Sequence, residues 1–496
     1  MKKYFVLLAL IFSSAAVFSQ TSINNLSDWN AFMSRIANNQ SQSTDHYILN
    51  DDVGISGSSI LTTPVSSMIN GTFRGRLNGG MHKITVNITS SESNVGLFSQ
   101  ANGSCIESLI IDGSITGTSA NANVGGFAGE IVGYFEFHNC INLASVTGSG
   151  ANSIVGGIVG GMVNSGTLIQ DCVNNGTITG GKSVGGITGS ISLSVTTIIG
   201  ACKNSGTIQR YGSTTPTYMA GIIGYVGVSN NIHIHSAVNI GRILSSNSQY
   251  AGGIAAYVES SNTIHLSTSV NAGIVDGATN SVGGIVGFFN GGLLANCINV
   301  NWVSHGSASY YGSIIGNGSN VTIMSCYNDN QMCILGGINN VDITNQAEGI
   351  PTAGMIGNNL SVSSINTPVQ LYPLPYRSIY NNINLHPIEL LAMAPVYLMN
   401  NEKVNNVAMN FTVSNYNPSP PSPPPGVPYP YKWGWFGSVY KSFSLNNFVE
   451  IAPPNTATIL LQNGWDSLTV RLDNYYYLPY SGYNIIFEKI ISINVK

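Results

Sequence analysis

Along residues 95–345 the hydrophobic and polar positions repeat in a way no helix would give. Runs of two to four β-formers (Val, Ile, Thr) are broken every few residues by Gly, Asn or Ser. That is the punctuation of short strands, not a 3.6-residue apolar face. The stretch Val155-Gly-Gly-Ile-Val-Gly-Gly161 is typical, and it returns as Val124-Gly-Gly-Phe-Ala-Gly129, Val184-Gly-Gly-Ile-Thr-Gly189 and Val282-Gly-Gly-Ile-Val-Gly287. The residues opening each such unit are Val95, Val124, Val155, Val184, Met219, Ala251, Val282 and Tyr311, spaced 29 to 35 apart. A second motif follows: Cys172-Val-Asn-Asn-Gly-Thr-Ile178, Cys202-Lys-Asn-Ser-Gly-Thr-Ile208 and Ala237-Val-Asn-Ile-Gly-Arg-Ile243.

A unit of this size cannot bury its apolar face alone, but stacked units can. The pattern predicts an all-β fold, a β-helix of about eight coils in which each coil pairs with the next. Three positions before the Cys phase stand Phe137, Ile169, Ile199, Ile234, Leu266, Leu294 and Ile323, an inward apolar column. Two positions after it stand Asn142, Asn174, Asn204, Asn239, Asn271, Asn299 and Asn328. Amides stacked in this way can hydrogen-bond from coil to coil, a structural role. The paired glycines are expected at tight corners, where they supply positive φ and let neighbouring chain come close. They lack the Lys-Ser/Thr ending of a phosphate loop.

These motifs resemble the GLUG-repeat proteins, bacterial surface and secreted proteins. The lead-in Asp28-Trp29-Asn-Ala-Phe32, Tyr47-Ile-Leu-Asn-Asp-Asp52 and Phe73-Arg-Gly-Arg-Leu-Asn-Gly-Gly-Met-His-Lys-Ile84 belongs to the likeness, which covers roughly residues 21–345. The resemblance implies an adhesin-like chain or an accessory part of an exported protease, and it carries no catalytic motif.

Outside the repeats, residues 1–19 read as a secretory signal, with Lys2 and Lys3 before an apolar run and a cut near Ser19–Gln20. Residues 20–94 hold a capping helix, with Leu26, Trp29, Phe32, Met33 and Ile36 on one face, and irregular first coils. Residues 346–369 are a transition. Residues 370–496 form a C-terminal β-sandwich-like domain with a Pro-rich segment at 417–430.

Charged residues make up only 8% of the chain and the net charge is −4. That balance argues against nucleic acid as a partner, and no later apolar run is long enough to span a bilayer.

Candidate chemistry is sparse. His233, His235 and His265 fall on outward phases of neighbouring coils and could meet at a transition metal, against the plainer reading of three exposed imidazoles. Tyr429, Tyr431, Trp433 and Trp435 could stack on sugar rings or simply fill a β core. Cys140, Cys172, Cys202, Cys297 and Cys326 share one phase with Ala237 and Ser269, which points to small buried thiols. Glu107, Asp112, Glu130, Glu136, Asp171, Glu259, Asp276 and Asp329 sit at scattered phases, with no pair evident for hydrolysis.

The expectation is an exported, non-enzymatic, adhesin-like protein without a cofactor. It would sit at the outer surface of a bacterium or be secreted, binding glycans or extracellular proteins. A carbohydrate-active β-helix enzyme and a self-assembling surface filament or coat are the alternatives.

Overall fold

The structure, a computed structural model, describes residues 20–350 apart from 164–165, 193–195, 213–216, 228–230, 246, 260–263, 331–332 and 334, together with five later strands. The first of these regions is a parallel β-solenoid of about ten turns. It is longer than the eight repeat units because the lead-in already joins its sheets. Strand Gln20–Ile23 pairs with His46–Leu49, which pairs with Arg76–Asn78, then with Cys105–Glu107.

Three faces make up each regular coil. In one of them, Ile154–Gly156 lies on a narrow face of eight strands. Val159–Val163 and Thr167–Gln170 lie on a wide face, and Val173–Asn174 and Ile178–Gly180 on a third. Strands of this length cannot hold a register by themselves. It is fixed by columns of like residues, since a one-residue slip would turn every core side chain outward. Phe137, Ile169, Ile199, Ile234, Leu266, Leu294 and Ile323 are successive register partners and are buried.

The asparagines form the inner spine of the third face. From Asn142 to Asn271 each Nδ2 donates to the Oδ1 of the next Asn, the last to Asn299, at 2.7–2.9 Å. Each of these and Asn299 also donates to the carbonyl two residues on, at 2.8–3.0 Å. At the last rung Asn328 accepts instead from Ser313 Oγ at 2.7 Å. All seven are fully buried, where an unpaired amide would cost about 1–3 kcal/mol.

This spine explains the paired glycines, and corrects the positive-φ expectation. None of the Val-Gly-Gly glycines takes a positive φ. A Cβ on Gly126, Gly157, Gly186, Gly221, Gly253 or Gly284 would instead come within 3.0 Å of the Asn amide of its own coil. On the other side, a Cβ on Gly176, Gly206, Gly241 or Gly273 would press on the amide of the preceding coil. Two glycine motifs thus clamp one amide. The left-handed corner falls just before the Cys phase, on Ser108, Asn139, Asp171, Ala201, Ser236, Thr268, Asn296 and Ser325, with φ of 47° to 55°. Asn and Asp tolerate that region best.

Helix Leu26–Ala37 closes the N-terminal end. Asn25 caps it, its Oδ1 accepting from the Asp28 N–H at 3.1 Å. Trp29, Phe32 and Ile36 are buried, while Leu26 is 48% exposed and leaves the expected face. Phe32 packs 4.8 Å from Tyr47 and 6.2 Å from Phe98 (ring centroids), so the helix plugs into the aromatic start of the core.

Beyond residue 350 the described strands are antiparallel. Ala408–Thr412 pairs with Thr456–Leu460, and Ser467–Tyr477 lies between Gly434–Lys441 and Asn484–Asn494. Residues 1–19, expected as a signal, residues 351–369, the Pro-rich run 417–430 and Tyr429, Tyr431 and Trp433 lie outside the described residues. Trp435 falls within Gly434–Lys441. No helix among the described residues is long and apolar enough to cross a membrane.

Candidate functional site

Five aromatic side chains gather at the corner between the narrow and wide faces. Tyr218 and Tyr250 are register partners on the narrow face. Tyr225, Tyr257 and Phe288 are register partners on the wide face. The chain turns sharply between the two strands of each coil, so the two columns meet. Ring centroids lie 4.8 Å apart for Tyr218–Tyr225 and for Tyr250–Tyr257. Within a column the rings stack: Tyr257 on Phe288 at 4.7 Å and 14°, Tyr225 on Tyr257 at 5.8 Å and 21°. All five are half-buried, so the cluster is neither core nor loose surface.

Its polar groups are unevenly used. Tyr225 Oη donates to Glu259 Oε2. Tyr250 Oη accepts from Asn280 Nδ2 at 3.0 Å, which leaves its own O–H to give. The Tyr218 and Tyr257 hydroxyls have no hydrogen-bond partner among the described residues. Burial, then the neighbouring phenols and Glu259, pushes Tyr218 up to about 12. Burial, then Tyr250 and Glu259, raises Tyr257. Both are therefore neutral donors near pH 7. The sequence carried the signal: these tyrosines sit one residue before, or six after, the residue opening their units.

A scan of family models, a search of curated proteins and a search of solved structures each return no match to this chain.

The histidines do not form one centre. His233 and His265 are register partners, their rings 5.0 Å apart and edge to face, and His233 Nε2 lies 2.7 Å from Asn231 Oδ1. His235 lies instead across Gly200, where a Cβ would sit 2.9 Å from its Nε2. No three His, Cys, Asp or Glu side chains among the described residues are placed to hold a metal. Burial and then the His265 charge lower the pKa of His233.

The acids are less scattered than their phases suggest. On the outer wide face Arg76 makes a paired contact with Glu107, Nε–Oε1 3.1 Å and Nη2–Oε2 2.6 Å. Glu136 is the register neighbour of Cys105, which follows Arg76 in the same column. Glu136 accepts from Tyr134 Oη and lies 2.9 Å from His138 Nε2. Burial would raise its pKa, but Tyr134, His138 and Arg76 outweigh that and hold the carboxyl low. Cys105, between Arg76 and Glu136 in that column, is pushed up to about 11, chiefly by burial. Irregular spacing before residue 95 hides the Arg76 contribution from repeat counting.

All seven cysteines are buried and free. Cys140, Cys172 and Cys202 stack in consecutive coils, and burial pushes Cys140 and Cys202 well above the usual thiol range.

Proposed function

We propose that the chain is an exported, non-catalytic binding protein, adhesin-like and of the GLUG-repeat kind, located at the outer surface of a bacterium or secreted. In this reading it recognises glycans through the tyrosine corner. The supporting observation is the cluster of Tyr218, Tyr225, Tyr250, Tyr257 and Phe288, half-exposed on a rigid scaffold and carrying unspent hydroxyls. Half-exposed aromatic groups with polar edges suit recognition, because rigid side chains present those edges and hydroxyls at little entropic cost. The signal-like residues 1–19 support export, and Gln20, next to the suggested cut, opens the first strand.

The test is an array of glycans and matrix proteins probed with the full exported chain and with Tyr250→Ala. Glycan signals that vanish in the variant support the reading. Signals confined to matrix proteins, or unchanged in the variant, overturn it.

The Arg76–Glu107–Glu136–His138–Tyr134 set favours the alternative of a carbohydrate-active enzyme, since a cation–acid cluster is what such chemistry needs. Release of new reducing or unsaturated ends from polysaccharide, abolished by Glu136→Gln, is the result that would establish it.

A further inference from the structure

The tyrosine corner is usually the kind of surface on which sugar rings lie face to face with aromatic rings. Here that mode is poorly available. Tyr257 lies between Tyr225 and Phe288, at 21° and 14° to them, so both of its faces are covered. Tyr250 has Tyr218 against one side and the edges of Tyr257 and Phe288 against others. The rings spend their faces on one another, and what remains for a ligand is their edges and hydroxyls.

Those hydroxyls are ordered. Tyr218 and Tyr257 have no hydrogen-bond partner among the described residues, and Tyr250 accepts from Asn280 while keeping its O–H. Glu259 gives one carboxylate oxygen to Tyr225 and keeps Oε1. Tyr250, Tyr257 and Glu259 belong to one coil and Tyr218 to the coil before it, about 4.8 Å away along the solenoid axis, so three donors and one anionic acceptor are gathered at the corner of two adjacent coils.

We propose that this group binds a neutral polysaccharide chain, by hydrogen bonds from the phenol O–H groups to sugar oxygens and from a sugar hydroxyl to Glu259. This rests on the glycan reading above and specifies its ligand and mode. A chain suits groups spread over two coils, where a single sugar would engage one or two of them. Neutral sugars match it because Glu259 would repel uronates and sulfates at close range.

The test compares wild type, the triple variant Y218F/Y250F/Y257F and Tyr257→Ala, each as the full exported chain. The probes are neutral chito-, cello- and manno-oligosaccharides of increasing length, with oligogalacturonate as the anionic control, read by calorimetry. The Phe variants keep every ring, and a thermal melt checks that they fold. We expect affinity to rise with length until the site is filled, and oligogalacturonate to stay silent. Each lost hydroxyl is expected to weaken binding about fivefold. Binding kept in the Phe triple but lost in Tyr257→Ala overturns the hydroxyl contacts and leaves the glycan site standing. Wild-type binding to oligogalacturonate alone overturns the neutral-chain claim. Silence of wild type toward every sugar overturns the glycan reading and this inference with it.

Discussion

The same corner of the solenoid carries two different chemistries in its early and late coils. The columns that hold Tyr218 and Tyr225 begin with Asn94, Asn123, Gln100 and Glu130. There Asn94 Nδ2 and Gln100 Nε2 both donate to Glu130 Oε2 at 2.9 Å, and Asn123 Nδ2 donates to Asn94 Oδ1 at 3.1 Å. That network spends its hydrogen bonds on itself. Between the two stretches the columns carry Ile154, Gly161, Ser183 and Ser190, and then the tyrosines follow. The Asn ladder and glycine clamps run beneath the late stretch and reach only the second coil of the early one, since Ile111 stands at the Asn phase in the first. The scaffold therefore sets where a side chain stands, and the residue there decides whether its polar groups are spent or on offer.

The comparison breaks most violently if the shared scaffold is cut. Asn239→Ala, under the tyrosine stretch, removes an amide bonded to Asn204 and Asn271 on both sides. It should lower stability by about 3–5 kcal/mol in urea unfolding. Asn142→Ala should cost less, because no earlier Asn donates to it. Equal losses would show that the ladder is not the coupled unit described.

A smaller effect separates the stretches themselves. Tyr257→Ala removes a ring packed against four others and should cost about 2–4 kcal/mol. Glu130→Ala breaks only part-buried hydrogen bonds and should cost about 1 kcal/mol. Thermal unfolding of both checks the order.

Finer still is the hydroxyl. Tyr257→Phe should change stability by less than about 0.5 kcal/mol, since its O–H holds no partner in the protein. Tyr225→Phe should cost about 1 kcal/mol, because its O–H is given to Glu259.

The smallest expected effect is acidic. His233 has a lowered pKa in the fold, so the unfolded chain binds more protons. Its influence is nil well above the ordinary value of 6.5 and becomes destabilising as pH falls through it. His233→Gln should flatten the stability profile between neutral pH and about pH 5, and an unchanged profile would remove His233 from the account.

Much of this was readable before any coordinates. The repeat phase placed the Phe137-to-Ile323 column and the asparagines, because a parallel solenoid keeps each phase in one column. The glycines were readable as close approaches, but not what approached them. That required seeing the second motif's amide pass between two glycines. The left-handed corner belonged to Ser, Asn, Asp, Ala and Thr one residue before the Cys phase, where a search for glycine does not look. The tyrosine corner was missed because its two columns sit seven residues apart in each unit and meet only through the fold of the corner. The three histidines share outward phases, but the register pairs only His233 with His265, while His235 stands between Gly200 and Ser267.

The central claim is that the late corner is a recognition surface and the early corner is not. The most direct measurement exchanges one for the other in the full chain: Y218N, Y225Q, Y250N and Y257E together, the residue types of the early stretch. Binding is then followed on neutral polysaccharide. The account predicts a folded protein that no longer binds. Wild-type binding in that folded variant would contradict it.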